Sequence, residues 1–184
     1  MFAMGGEMRD ASVTKDKVVV DVCVALAARK ECRDGTANRL LQGSDRVIEY
    51  LNTHSDWVQM VASPSMRREY IWFGTNPELM REGRPGLDLL AFFGNLCRRQ
   101  QVVCPQQAFE GCSKPRENNL FATALAADAR WLITGDRSLL DMRQVGETRV
   151  VTPHDFLETQ LDEVAARQPA LPVRKPRIAA LLRA

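Results

Sequence analysis

Histidine is scarce in this chain: only two, His54 and His154, occur in 184 residues. Neither falls within the acidic segments singled out below, so chemistry built on a histidine general base is not favoured. Cysteine is odd in number (Cys23, Cys32, Cys97, Cys104 and Cys112), with no C-x-x-C pair. A structural zinc site is therefore not expected, and the thiols read as reduced. No apolar run reaches the roughly 18 residues that a membrane helix needs. The N-terminal "MFAMGGEMRDASVTKDK" lacks a basic flank followed by an apolar block, so the expectation is a cytoplasmic protein without membrane contact. Glycine loops that cradle phosphate are missing too, whether G-x-x-x-x-G-K-[ST] or a G-x-G-x-x-G after a strand. That counts against a nucleotide-binding protein or an unrelated α/β phosphatase. Charge of one sign is lacking as well, because a net charge of +2 is too small to announce nucleic-acid binding by itself.

What remains is ordinary globular material, 45% apolar and 26% charged, in a chain long enough for one domain with a real core. Residues 1–16 have Gly-Gly, mixed charge and no periodicity, and read as an unstructured N-terminal segment. Residues 17–165 read as the folded domain. Residues 166–184 form a basic, proline-containing tail: Arg167, Arg174, Lys175, Arg177 and Arg183 follow Glu163 with no acid among them. The tail is either a solvated terminus or an arm that contacts RNA or a partner.

Within the domain, "KVVVDVCVAL" (17–26) predicts a strand buried on both faces, and "WVQMVAS" (57–63) a second one. Ser63-Pro64 then caps and opens a helix through "SMRREYIWF". "LDLLAFFGNLCRRQQ" reads as an amphipathic helix and "VVCP" as a short strand or extended link. A helix over about 118–128, a strand over 130–134, a helical turn at "RSLLDM", a strand "TRVVT" and a last helix from "PHDFLETQLDEVAAR" complete the order. Strands alternating with helices predict a parallel sheet between helical layers.

In such a sheet the carboxyl ends of the strands and the helix starts beside them form the ligand-binding edge. Four acids fall there. Asp21 lies within or at the end of the first apolar strand, and Glu69 in the helix after the second. Glu117 opens a helix, and Asp136 follows "WLITG" nineteen positions later. Singly, each has a plain alternative as a cap, an ion pair or a solvated side chain. Gathered together they need a counter-charge, since two like charges about 4 Å apart repel by roughly 4 kcal/mol at an effective dielectric of about 20. A hard divalent ion, Mg²⁺ or Mn²⁺, suits oxygen ligands of this kind and also binds phosphate oxygens. Asn118 and Thr134 are candidates for hydrogen bonds that hold the acids in place. Arg68 and Arg137 read as solvated neighbours of the acids and are left outside the site.

These segments resemble the PIN domain family of metal-dependent nucleases, and most nearly its VapC-like toxin branch. "VVVDVCVALAA" resembles the opening strand, "VASPSMRREY" the second strand with its Ser-led helix and glutamate, and "TRVVTPHDFLETQL" the closing strand and helix. "KPRENNLFATALAADARWLITGD" is similar to a family stretch written Asp-Pro-x-Asp-Asn, then helix, then a strand ending in Thr-Gly-Asp. The resemblance spans about residues 17–161. It implies a three-layer α/β/α fold around a central parallel sheet, with Asp21, Glu69, Glu117 and Asp136 as metal ligands and catalytic residues. It further implies hydrolysis of RNA phosphodiester bonds by one or two Mg²⁺ or Mn²⁺ ions, a small antitoxin partner and homodimerisation. "LDLLAFFGNL" could serve the dimer or pack on the chain's own sheet. Three positions depart from the pattern: Val22-Cys23 replaces Thr-Asn, Glu117 replaces aspartate, and Lys114 replaces an acid. They motivate the alternative of a degenerate, non-catalytic PIN domain that binds RNA or a protein partner.

Overall fold

The computed structural model describes residues 15–34, 39–76, 86–112 and 114–167. The expected N-terminal segment lies outside them apart from Lys15 and Asp16, as does the basic tail beyond Arg167. Asp16–Val20 forms β1, Val22–Asp34 α1, Ser44–Thr53 α2 and Val58–Ala62 β2. Pro64–Thr75 forms α3, Gly86–Arg99 α4, Gln101–Val102 β3 and Pro115–Ala126 α5. Trp131–Ile133 is β4, Arg137–Leu140 the short α6, Gln144–Val145 β5, Thr148–Val151 β6 and Pro153–Arg167 α7. Among the described residues these strands make one six-stranded sheet in the order β3-β2-β1-β4-β6-β5. All its pairings are parallel except β5 with β6.

Both faces of the sheet are covered, which is how a parallel sheet with near-continuous apolar strands is stabilised. Val18, Val20, Met60, Trp131 and Ile133 point into one cluster with residues of α1, α2, α4 and α7. Val19, Val61, Leu132 and Val150 point the other way, against Leu120, Phe121 and Ala124 of α5. Each β1 valine is at most 1% exposed, and each contributes about 1.5–3 kcal/mol by leaving water. The "LDLLAFFGNL" helix packs on its own domain: Leu89, Phe93 and Leu96 are buried in the first cluster, while Leu90 is exposed. Among the described residues no helix is long and apolar enough to cross a membrane.

Two sequence expectations need correction. The strand expected over 17–26 stops at Val20, and the β-branched run after it is helical. Val22, Val24, Ala25 and Ala28 are buried at helical spacing, so tertiary packing overrides the strand propensity of the segment. The sheet is also not wholly parallel. A two-residue turn at Gly146-Glu147, with Gly146 at φ 58°, folds β5 back along β6.

Candidate active site

β1 and β4 lie side by side in the sheet's interior, and their carboxyl ends carry the first part of the site. Asp21 is one residue past β1 but still in the ladder, its N–H donating to the Ile133 carbonyl at 2.9 Å. Its own carbonyl accepts from the Val24 N–H at 3.0 Å, which starts α1. The side chain is therefore fixed at a strand-to-helix corner and is only 2% exposed. Carboxylate oxygen Oδ2 accepts from Thr134 Oγ1 at 2.7 Å and from Cys23 Sγ at 3.1 Å. Oδ1 accepts from Arg116 Nη2 at 2.7 Å and, at 3.4 Å, from the Cys23 N–H. Burial, then the charge of Asp21, pushes the Cys23 thiol up to about 12, so it stays protonated and able to donate. Cys23 had been expected in a strand; it sits instead in the first turn of α1, facing the acid.

Thr134 directly follows β4 and is fully buried. Its N–H donates to the Val151 carbonyl, and its hydroxyl accepts from the Asp136 N–H at 3.0 Å while donating to Asp21. Gly135, between them, is needed for a close approach: a Cβ there would come within 2.6 Å of Leu41 Cγ. Asp136 caps α6, where Oδ1 accepts from the Ser138 N–H at 3.0 Å and from its hydroxyl at 2.7 Å. Those Ser138 hydrogen bonds, helped by the charges of Lys114 and Arg116, hold the Asp136 carboxyl below the usual aspartate range despite its partial burial.

Glu117 stands in the first turn of α5, 5% exposed. Its Oε1 accepts from Lys114 Nζ at 2.8 Å and lies 3.2 Å from the same Ser138 hydroxyl, whose single proton it shares with the nearer Asp136. Lys114 Nζ also lies 3.9 Å from Asp136 Oδ2. Glu69 comes from α3, whose start is set by Ser63 Oγ accepting from the Met66 N–H at 3.3 Å. Next along that helix, the buried Tyr70 hydroxyl donates to the Val20 carbonyl and pins α3 to the end of β1. Glu69 Oε1 accepts from Arg116 Nε at 2.6 Å. Burial raises the Glu69 carboxyl, the Arg116 charge works against that, and the charge of Asp21 adds to it.

All four acids expected from the sequence thus lie on one run of contacts: Glu69, Arg116, Asp21, Thr134, Asp136, Ser138, Glu117. No family model, curated protein or solved structure matches this chain. The chemistry has to be read from the side chains themselves. Four carboxylates against two cations leave two negative charges at this edge when all are ionised. The donors are carboxylate oxygens, with the nearby thiol protonated, which suits a hard divalent ion. Among the described residues, however, no three acidic, histidine or cysteine side chains converge into a ready ligand set. The acids stand as two pairs, each bridged by a basic side chain.

Asn118 does not contact the carboxylates. It takes the Cys112 N–H at Oδ1 (2.8 Å) and donates to the Cys112 carbonyl (3.1 Å), tying down the loop before α5. Arg68 and Arg137 are exposed. Sequence reasoning missed Arg116 and Ser138. A signal for the former was available: Lys114 and Arg116 place two cations at a helix N-terminus, where the dipole disfavours positive charge.

Proposed function

We propose that this chain is a metal-dependent endoribonuclease of the PIN type. The observation that carries the reading is the gathering of Asp21, Glu69, Glu117 and Asp136, from four separated segments, at one edge of a parallel sheet with a residual double negative charge. In this reading the four would hold Mg²⁺ or Mn²⁺. The chemistry such an ion supplies when bound is Lewis-acid polarisation of a phosphodiester and activation of water. The chain's own groups do the positioning. Thr134 and Cys23 fix Oδ2 of Asp21, while Oδ1 accepts from Arg116 and, at 3.4 Å, from the Cys23 N–H. Ser138 aligns Asp136 with Glu117. Lys114 and Arg116, with side chains 63% and 47% exposed, are cations in contact with the acids and open to solvent, where a backbone phosphate could meet them. Binding that uses them weakens with added salt.

The test is cleavage of a single-stranded RNA in the presence of Mn²⁺. Asp21→Asn and Asp136→Asn, checked for folding by circular dichroism, should each abolish it. Cleavage that persists undiminished in both variants means that the activity belongs to another site or another protein. A non-catalytic PIN domain that binds RNA or a partner is the second reading, favoured by the two cations paired with the acids. It predicts RNA binding without Mn²⁺-dependent cleavage. On the first reading the chain acts as the toxin of a toxin-antitoxin pair, with a small antitoxin and a homodimer as its expected partners. Ile71 and Trp72 on α3 and Leu90 on α4 are the exposed apolar residues suited to such contacts.

A further inference from the structure

Asp21 has one oxygen to offer a ligand, because Oδ2 is taken by Thr134 at 2.7 Å and by Cys23 at 3.1 Å. The oxygen left over, Oδ1, is the one held by Arg116 Nη2 at 2.7 Å. The same guanidinium holds Glu69 Oε1 through Nε at 2.6 Å. One planar fork therefore spans two of the four carboxylates, a geometry that suits arginine and that an ammonium does not reproduce. The placement does nothing for the helix on which it rides, because Arg116 lies in the first turn of α5, where positive charge is disfavoured. The side chain is 47% exposed, so an outward turn would meet solvent rather than the core. Lys114 is different: it reaches Glu117 Oε1 at 2.8 Å but stands 3.9 Å from Asp136, so it bridges its pair loosely.

We propose that Arg116 is a built-in competitor for the divalent ion, seated on Asp21 and Glu69 in the ion's place and displaced when the ion binds. This rests on the metal-dependent reading above. A site whose competent form is only partly populated binds its ligand more weakly by that fraction. If Arg116 is seated about 90% of the time, apparent affinity falls about tenfold.

The experiment is a titration of the full chain with manganese chloride alone, without RNA, following loss of the free Mn²⁺ signal by electron paramagnetic resonance. Wild type, Arg116→Gln, Arg116→Lys, Lys114→Gln and Asp21→Asn are compared, each checked for folding. Arg116→Gln should bind Mn²⁺ at least about tenfold more tightly than wild type, and Lys114→Gln should gain less. Asp21→Asn should bind more weakly than wild type. Should Arg116→Gln fail to fold, Arg116→Lys carries the comparison, with tighter Mn²⁺ binding than wild type expected from loss of the fork. Equal Mn²⁺ affinity in wild type and the Arg116 variants overturns the competitor while leaving the metal site standing. An equal gain in Lys114→Gln overturns it as well, since general charge would then explain the effect. No binding by any variant removes both the competitor and the metal-dependent reading.

Discussion

Thr134 joins two acids through one hydroxyl, and replacing it with valine removes that oxygen at nearly constant shape. The hydroxyl donates to Asp21 Oδ2 at 2.7 Å and accepts from the Asp136 N–H at 3.0 Å, at a residue with no exposure. A hydrogen bond to a charged group contributes about 1.5–3 kcal/mol and a neutral one about 0.5–1.5 kcal/mol. Cys23 still donates to Oδ2 at 3.1 Å in the variant, so the lower part of the combined range applies, about 2–3 kcal/mol. For a domain of this size that is a fall of about 5–10 °C in melting temperature. Urea denaturation followed by circular dichroism is the assay, with the slope m expected to be unchanged. Thr134→Ser is the control: it keeps the oxygen and loses one methyl, at about 1 kcal/mol. A valine variant as stable as wild type, or more stable than the serine variant, would refute the role given to the Thr134 hydroxyl.

Acid titration offers a second check. The Asp136 carboxyl is held below its ordinary value in the folded state, so its contribution to stability is fully present above about pH 4 and is lost as pH falls through the lowered value. The stability gap between wild type and Asp136→Asn, measured by urea denaturation at pH 6 and pH 3, should therefore narrow on acidification; a gap that widens contradicts the assignment. Thiol labelling gives a third. With its thiol pushed up to about 12, Cys23 should resist iodoacetamide at pH 8 while the exposed Cys104 is modified, as read by peptide mass mapping. Rapid labelling of Cys23 in the folded protein would mean that it does not sit against Asp21 as a protonated donor.

The α/β architecture was legible because its signals are local. Valine runs bounded by turn residues mark strands, and Ser63-Pro64 marks a helix start. Asp21, Glu117 and Asp136 stood out for the same reason, since each stands at an element boundary, whereas Glu69, in the middle of α3, was singled out only through the family resemblance. Two features were hidden. Val22-Cys23-Val24 has strand propensity but folds as helix, a choice made by the side chains that it buries against the sheet. Arg116 looks like any exposed helix residue in a sequence. Its link to Glu69, forty-seven positions earlier, exists only once α3 and α5 are brought to the same edge. Asn118 was misjudged because an amide beside an acid in sequence need not face it: its side chain turns back to the loop at Cys112.

Asp21 and Thr134 hang from inner strands of the sheet, with their amides locked to Ile133 and Val151. Glu69 and Glu117 ride on helices held to that slab by side chains, through the Tyr70 hydroxyl on the Val20 carbonyl and through buried Leu120, Phe121 and Ala124. Two of the four acids are thus anchored through the backbone ladder or its end, and the other two through side-chain packing of α3 and α5. A guest of unfamiliar radius would be accommodated from the helical side, while the oxygen of Asp21 keeps its place as the fixed point from which the rest is measured.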